Sequence, residues 1–180
     1  MANSSKTIGE LRTSGYEVLS VKQEIRKNLI SKIKSGQDLF PGIIGFEDSV
    51  VPQLENAILA GQDIILLGER GQAKSRVIRQ LVSLLDDEIP IMEDCELNDD
   101  PFNPICRQCK DITAKEGDKA KISWLPREMR YAEKLATPDI TVADLIGEID
   151  PIKVAEGRYL SDELTIHYGL IPRTNRGIFC

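Results

Sequence analysis

The sequence predicts an α/β fold, a parallel sheet with helices on both faces. Three observations carry that expectation. Asp63-Ile64-Ile65-Leu66-Leu67 is a short continuous apolar run, β-branched at its start and bounded by Gly61 and Gly68, as a strand buried in a parallel sheet reads. Amphipathic stretches of helical period lie on both sides of it. A glycine-containing turn joins the run directly to the second of those stretches, the order strand, loop, helix.

The elements follow in order. Thr7-x-x-Glu10 and Ser20-x-x-Gln23 both read as capping boxes. After the second, Ile25, Leu29, Ile30 and Ile33 share one helical face, and Gly36 suits a C-terminal stop, so a helix is expected over about 21–35. Phe40-Pro41-Gly42 breaks the pattern. Asp48 is the expected cap of a second helix whose apolar side is Val51, Leu54, Ala57, Ile58 and Leu59, ended by Gly61. Lys74 to Leu85 is expected to be helical, with Val77, Ile78, Leu81, Leu84 and Leu85 on one side, and Ile89 to Met92 forms the next strand. Residues 94–134 show poor periodicity and read as a loop-rich insert. Gly177-Ile178-Phe179-Cys180 reads as the opening of another buried strand. On this reading residues 1–39 are an N-terminal helical extension and residues 40–180 the core.

Composition bounds the function. The chain has 180 residues, 41% hydrophobic and 29% charged, enough to bury a core. A net charge of -6 and 5% aromatic residues argue against broad nucleic-acid binding, which needs basic surface and stacking platforms. Four cysteines are too few for a disulfide scaffold. The N-terminus carries no apolar signal core, and no run approaches the roughly 20 apolar residues of a membrane span. A cytoplasmic protein without membrane partners is expected.

The residues that carry chemistry are Gly68-Glu69-Arg70-Gly71-Gln72-Ala73-Lys74-Ser75, followed by Arg76. A strand, a glycine loop and a helix start aim several backbone N–H groups at one point, an anion site made of main chain. Lys74 can reach the β and γ phosphates of a nucleotide, and the Ser75 hydroxyl can ligate Mg²⁺. The strict pattern G-x-x-x-x-G-K-[ST] has Ala73 in place of its second glycine. The substitution is expected to be tolerated because residue 73 takes a helical, negative φ.

With this loop in place, further segments resemble the AAA+ ATPases, and within them the ATPase subunit of magnesium chelatase and its MoxR relatives. These are Phe40-Pro41-Gly42-Ile43-Ile44-Gly45-Phe46-Glu47, Leu145-Ile146-Gly147-Glu148-Ile149-Asp150, Gly157, and Gly169-Leu170-Ile171-Pro172-Arg173-Thr174-Asn175-Arg176-Gly177-Ile178. The resemblance implies a P-loop core binding ATP and Mg²⁺. Gly68 to Arg76 would hold the phosphates, Lys74 would serve catalysis, and Ile43, Ile44 and Gly45 would contact adenine. It implies a hairpin insertion over about 158–168. It also implies a ring-forming homo-oligomer that works on a partner carrying a von Willebrand or integrin-type metal-binding domain. The family's Walker B acids end the strand that here begins at Gly177, so the chain is expected to be the N-terminal portion of the module and inactive by itself. Two other classes stay open: a noncatalytic nucleotide-binding scaffold, and a sigma-54-type transcription activator, whose contact loop is absent from the residues present.

Other constellations have plainer readings. Cys106-x-x-Cys109 with Cys95 upstream allows a zinc site, but no fourth ligand is evident and the resemblance does not require one, so free thiols are expected. From Asp86 to Asp100 the chain has eight acids and no Lys or Arg, without the spacing of a calcium loop, and reads as solvated. Glu148 and Asp150 read equally as caps or as functional acids. His167 reads as a surface histidine of the hairpin.

Overall fold

The computed structural model describes residues 5–155 and 162–180. In chain order the elements are α1 (Ile8–Thr13), α2 (Val21–Ser35), α3 (Val50–Leu59), α4 (Lys74–Gln80), β1 (Glu88–Met92), α5 (Arg107–Glu116), β2 (Ile122–Pro126), β3 (Tyr131–Ala132), α6 (Val142–Leu145), β4 (Gly147–Ile149), α7 (Pro151–Ala155), β5 (Ile166–Tyr168), α8 (Leu170–Arg173) and β6 (Ile178–Phe179). Short 3₁₀ turns link several of them. No helix among the described residues is long and apolar enough to cross a membrane.

The chain divides into two compact units, Leu19–Asp87 and Met1–Val18 with Glu88–Cys180. The boundary expected at residue 39 is therefore displaced: α2 belongs with the segment that follows it. Its Leu29 is fully buried in a cluster with Leu39, Phe40, Ile43, Leu54, Ile58, Val77 and Leu84. Asn28 Nδ2 donates to the Leu84 carbonyl at 2.9 Å and to Asp86 Oδ1 at 2.8 Å, and the buried Glu24 carboxylate accepts from the Asp86 N–H at 2.6 Å. The helix starts at a complete capping box of Ser20 and Gln23 and stops at Gly36 in the left-handed conformation, both as the sequence implies. At α3 the cap residue is Ser49, one beyond the expected Asp48, and its side chain makes no capping bond. The expected helix over 74–85 is α-helical only to Gln80 and tightens to a 3₁₀ turn over Leu81–Leu84.

The largest departure concerns the sheet. The described residues hold three two-stranded ladders, not one parallel sheet. β1 pairs antiparallel with β2, β4 antiparallel with β5, and β3 parallel with β6. Residues 63–67 form no ladder, yet they keep strand-like alternation. Ile64 and Leu66 pack on the apolar cluster, while Ile65 and Leu67 are 84% and 90% exposed. Without a hydrogen-bonded neighbour an extended run is not a strand, however apolar it is.

In the other unit, the segment read as a loop-rich insert supplies the core. Its Leu97, Cys106, Cys109, Ala120 and Ile122 cluster with Met92 of β1 and with Ile8 and Leu11 of α1. Trp124 on β2 donates its indole N–H to the Ser5 carbonyl at 2.9 Å and meets Tyr16 edge to face at 6.2 Å. β6 forms as expected at Ile178 but lies only half-buried, with Phe179 exposed. Of the hairpin expected over 158–168, the part to residue 161 lies outside the described residues. The remainder leads into β5, which pairs residue for residue with Gly147–Ile149.

Candidate functional site

The loop 68–75 runs from the extended segment into α4. Positive φ recurs in it. Gly71 has φ 84°, Gln72 a negative φ, Ala73 φ 54° and ψ 14°, and Lys74 begins the helix. The expectation of a negative φ at Ala73 is overturned. The physical reason is position: Ala73 is the cap of α4, one step before the first helical residue, so helical dihedrals are not imposed on it. Alanine in the left-handed region costs about 1 kcal/mol, a strain of the kind that persists where function requires it.

The residues 70–76 line an open concavity of about 450 Å³. Lys74 Nζ donates to the Gly68 carbonyl at 2.8 Å and also to that of Glu69, so the ammonium lies across the loop. Arg70 and Ser75 are exposed. Arg76 packs its guanidinium against Gly42, where an added Cβ would stand 2.5 Å from Nη2. Gln80 Nε2 donates to the Pro41 carbonyl at 2.8 Å. These two contacts hold the segment 41–45 beside the first turns of α4. Of the three residues assigned to adenine, Ile43 is buried in the apolar cluster, Ile44 is 84% exposed, and Gly45 is a turn residue at φ 85°. Only Ile44 and Gly45 are open to a ligand.

In the other unit, Cys95, Cys106 and Cys109 come together with a residue that sequence reasoning placed in solvent. A carboxylate oxygen of Asp99 and the three sulfurs all lie within 4.8 Å of one another. Asp99 is fully buried, against the expectation of a solvated acidic loop, because the turn folds it inward. Asp94 and Asn98 are both left-handed, at φ 57° and 51°. Asp99 Oδ2 accepts the N–H groups of Ile105 at 3.0 Å and Cys106 at 2.9 Å. Cys106 caps α5, its sulfur accepting the Cys109 N–H at 3.3 Å, and Cys95 Sγ accepts the Asp99 N–H at 3.4 Å. The thiols share charge unequally. The hydrogen bond with Cys109, first, holds Cys95 down to about 6, and the same bond pushes Cys109 far up, while burial raises Cys106 to about 11. A buried acid among eight is indistinguishable in sequence; only the left-handed turn residues, one of them an asparagine, hinted at a tight fold there.

Asp150 caps α7, its Oδ1 accepting the Ile152 N–H at 2.9 Å. Glu148 and His167 are exposed partners across the β4–β5 ladder.

No protein-family model matches the chain, and no solved structure does. Two curated proteins match. Magnesium-chelatase subunit ChlI of Nostoc sp. is 31% identical over 144 residues, covering 77% of this chain and 35% of that protein. A magnesium-chelatase subunit ChlI homolog of Methanocaldococcus jannaschii is 33% identical over 128 residues, covering 65% of this chain and 34% of that protein. The chain spans about a third of the length of these relatives, and over most of its own length it is similar to magnesium-chelatase ChlI subunits.

Proposed function

We propose that the chain is the nucleotide-binding part of an AAA+ ATPase of the magnesium-chelatase type, acting in the cytoplasm as a ring-forming subunit. In that reading ATP turnover remodels a partner with a von Willebrand or integrin-type domain. The observation that carries the proposal is the open concavity lined by residues 70–76 at the start of α4, with the Lys74 ammonium lying across the loop that forms it. Similarity to the ChlI subunits supports it.

The residues fit a polyphosphate. Residues 70–76 line an open concavity, and glycine at 71 leaves open space above its backbone. Lys74 would exchange its two carbonyl partners for β and γ phosphate oxygens and place its charge where negative charge grows in phosphoryl transfer. Ser75 would turn its exposed hydroxyl to Mg²⁺, which supplies charge neutralisation and orientation when bound. Arg70 and Arg76 border the concavity and add positive potential. Ile44 and Gly45 would flank the base.

Calorimetric titration of the chain with MgATP tests this. Lys74→Ala is expected to weaken binding about tenfold to a hundredfold, the range of a lost charge-assisted hydrogen bond. Unchanged affinity in Lys74→Ala would refute the assignment.

A further inference from the structure

We propose that Cys95, Asp99, Cys106 and Cys109 bind one zinc ion as a structural Cys₃Asp site. Three observations meet there. The four ligand atoms lie within 4.8 Å of one another. Tetrahedral ligands about 2.3 Å from one ion stand about 3.7 Å apart, so closure needs movements of an ångström or less. The second observation is independent of the sulfurs. Asp99 is fully buried, and while its Oδ2 takes two backbone N–H groups, its Oδ1 has no hydrogen-bond partner among the described residues. A buried carboxylate oxygen without a donor is costly, and a cation supplies what the protein does not. The third is the set of N–H groups around the sulfurs. Cys106 Sγ accepts the Cys109 N–H at 3.3 Å and Cys95 Sγ the Asp99 N–H at 3.4 Å, which holds both sulfurs in place in the cluster.

Ligand chemistry selects the metal. Three soft thiolates with one carboxylate in a four-coordinate cage suit Zn²⁺, whereas Mg²⁺ and Ca²⁺ want six or more oxygens. Nearly complete burial of Cys109 and Asp99 fits a closed, structural site without an open coordination position. A cavity of about 220 Å³, lined by Cys95, Cys106, Glu163 and Tyr168 among others, reaches two of the ligands and gives the ion an entry path. On binding, Zn²⁺ releases the protons of the thiols that carry them and forms three Zn–S bonds and one Zn–O bond, with no change of oxidation state. The ion ties the turn after β1 to the first turn of α5, adding to the Asp99 carboxylate, the sulfur caps and the apolar packing of Leu97, Cys106 and Cys109.

The test is elemental analysis of the purified chain after dialysis, with zinc-edge X-ray absorption. One zinc per chain is expected, with three sulfurs at about 2.3 Å and one oxygen at about 2.0–2.2 Å. Cys109→Ser is expected to lose the stoichiometric zinc. Should that variant fail to fold, Asp99→Asn decides, because its amide oxygen still accepts the two N–H groups; in competition with a chromogenic chelator it is expected to bind zinc at least tenfold more weakly. Cys180→Ser, outside the cluster, is expected to bind as the parent does. A folded chain without metal overturns the proposal. So does iron in place of zinc, a Cys109→Ser variant with full zinc, an Asp99→Asn variant of parental affinity, or loss of zinc in Cys180→Ser. Nucleotide binding is no part of the readout, so each of these outcomes leaves the phosphate-loop reading untouched.

Discussion

The loop at 68–75 and the cluster at Cys95, Asp99, Cys106 and Cys109 are built on opposite plans. The first is mostly exposed, contiguous in sequence and, in the proposed reading, made of backbone with side chains at its rim. The second is buried, spread over fifteen positions and made of side chains, with backbone N–H groups in the supporting role. A main-chain site depends on dihedrals rather than on side-chain identity, so alanine can stand at 73 for the modest cost of a left-handed φ. A side-chain site tolerates none of its donors being replaced, and its weak point is burial: each donor left unmatched costs the fold directly.

That contrast yields a graded set of expectations. The largest effect is from a strong chelator. Trp124, the sole tryptophan, lies in the unit holding the cysteine cluster, so its fluorescence reports on that unit. Chelation is expected to lower the melting midpoint seen by Trp124 by about 10 °C or more, while amide exchange of α2 in the other unit stays as it was. Equal loss in both would abolish the distinction between the two plans. Leu29→Ala should do the reverse. Its side chain is fully buried, and its removal is expected to cost about 3 kcal/mol in α2 amide protection without changing zinc content. A smaller effect is expected of Asn28→Ala, which gives up the bonds to the Leu84 carbonyl and Asp86 Oδ1, about 1 kcal/mol by denaturant titration. Smallest is Ala73→Gly. It relieves the left-handed strain but adds freedom to the unfolded chain, for a net gain of about 0.5 kcal/mol. A loss of stability there would mean that the Ala73 methyl packs better than its conformation suggests.

What was legible follows the same division. The capping box at Ser20, the stop at Gly36, and the order of apolar run, glycine loop and helix are local features, and local chemistry fixes them. Ile64 and Leu66 face inward as a strand's would, but sequence cannot say whether a neighbour pairs with them. The β1–β2 ladder joins Met92 to Ile122 across a stretch without a repeating pattern, and so the segment between reads as loop although it carries the core. Asp99 was hidden by its company: eight acids from Asp86 to Asp100 have the same local chemistry, and only the turn at Asp94 and Asn98 decides which goes inside.

The sulfur at the start of α5 has a practical consequence for anyone handling the protein. Most helices are opened by an oxygen, from serine, threonine or aspartate, which air does not alter. Here the first turn is closed by the Cys106 thiol accepting the Cys109 N–H. Oxidation begins at Cys95, the thiol held down to about 6, and its sulfenic acid can condense with the Cys106 thiol, releasing water, to a disulfide that draws the Cys106 sulfur from the Cys109 N–H and frays the helix from its first residue. Ageing without a reductant should thus register first as lost protection of the amides of residues 107–110, ahead of any change in the helices capped by Thr7 and Ser20.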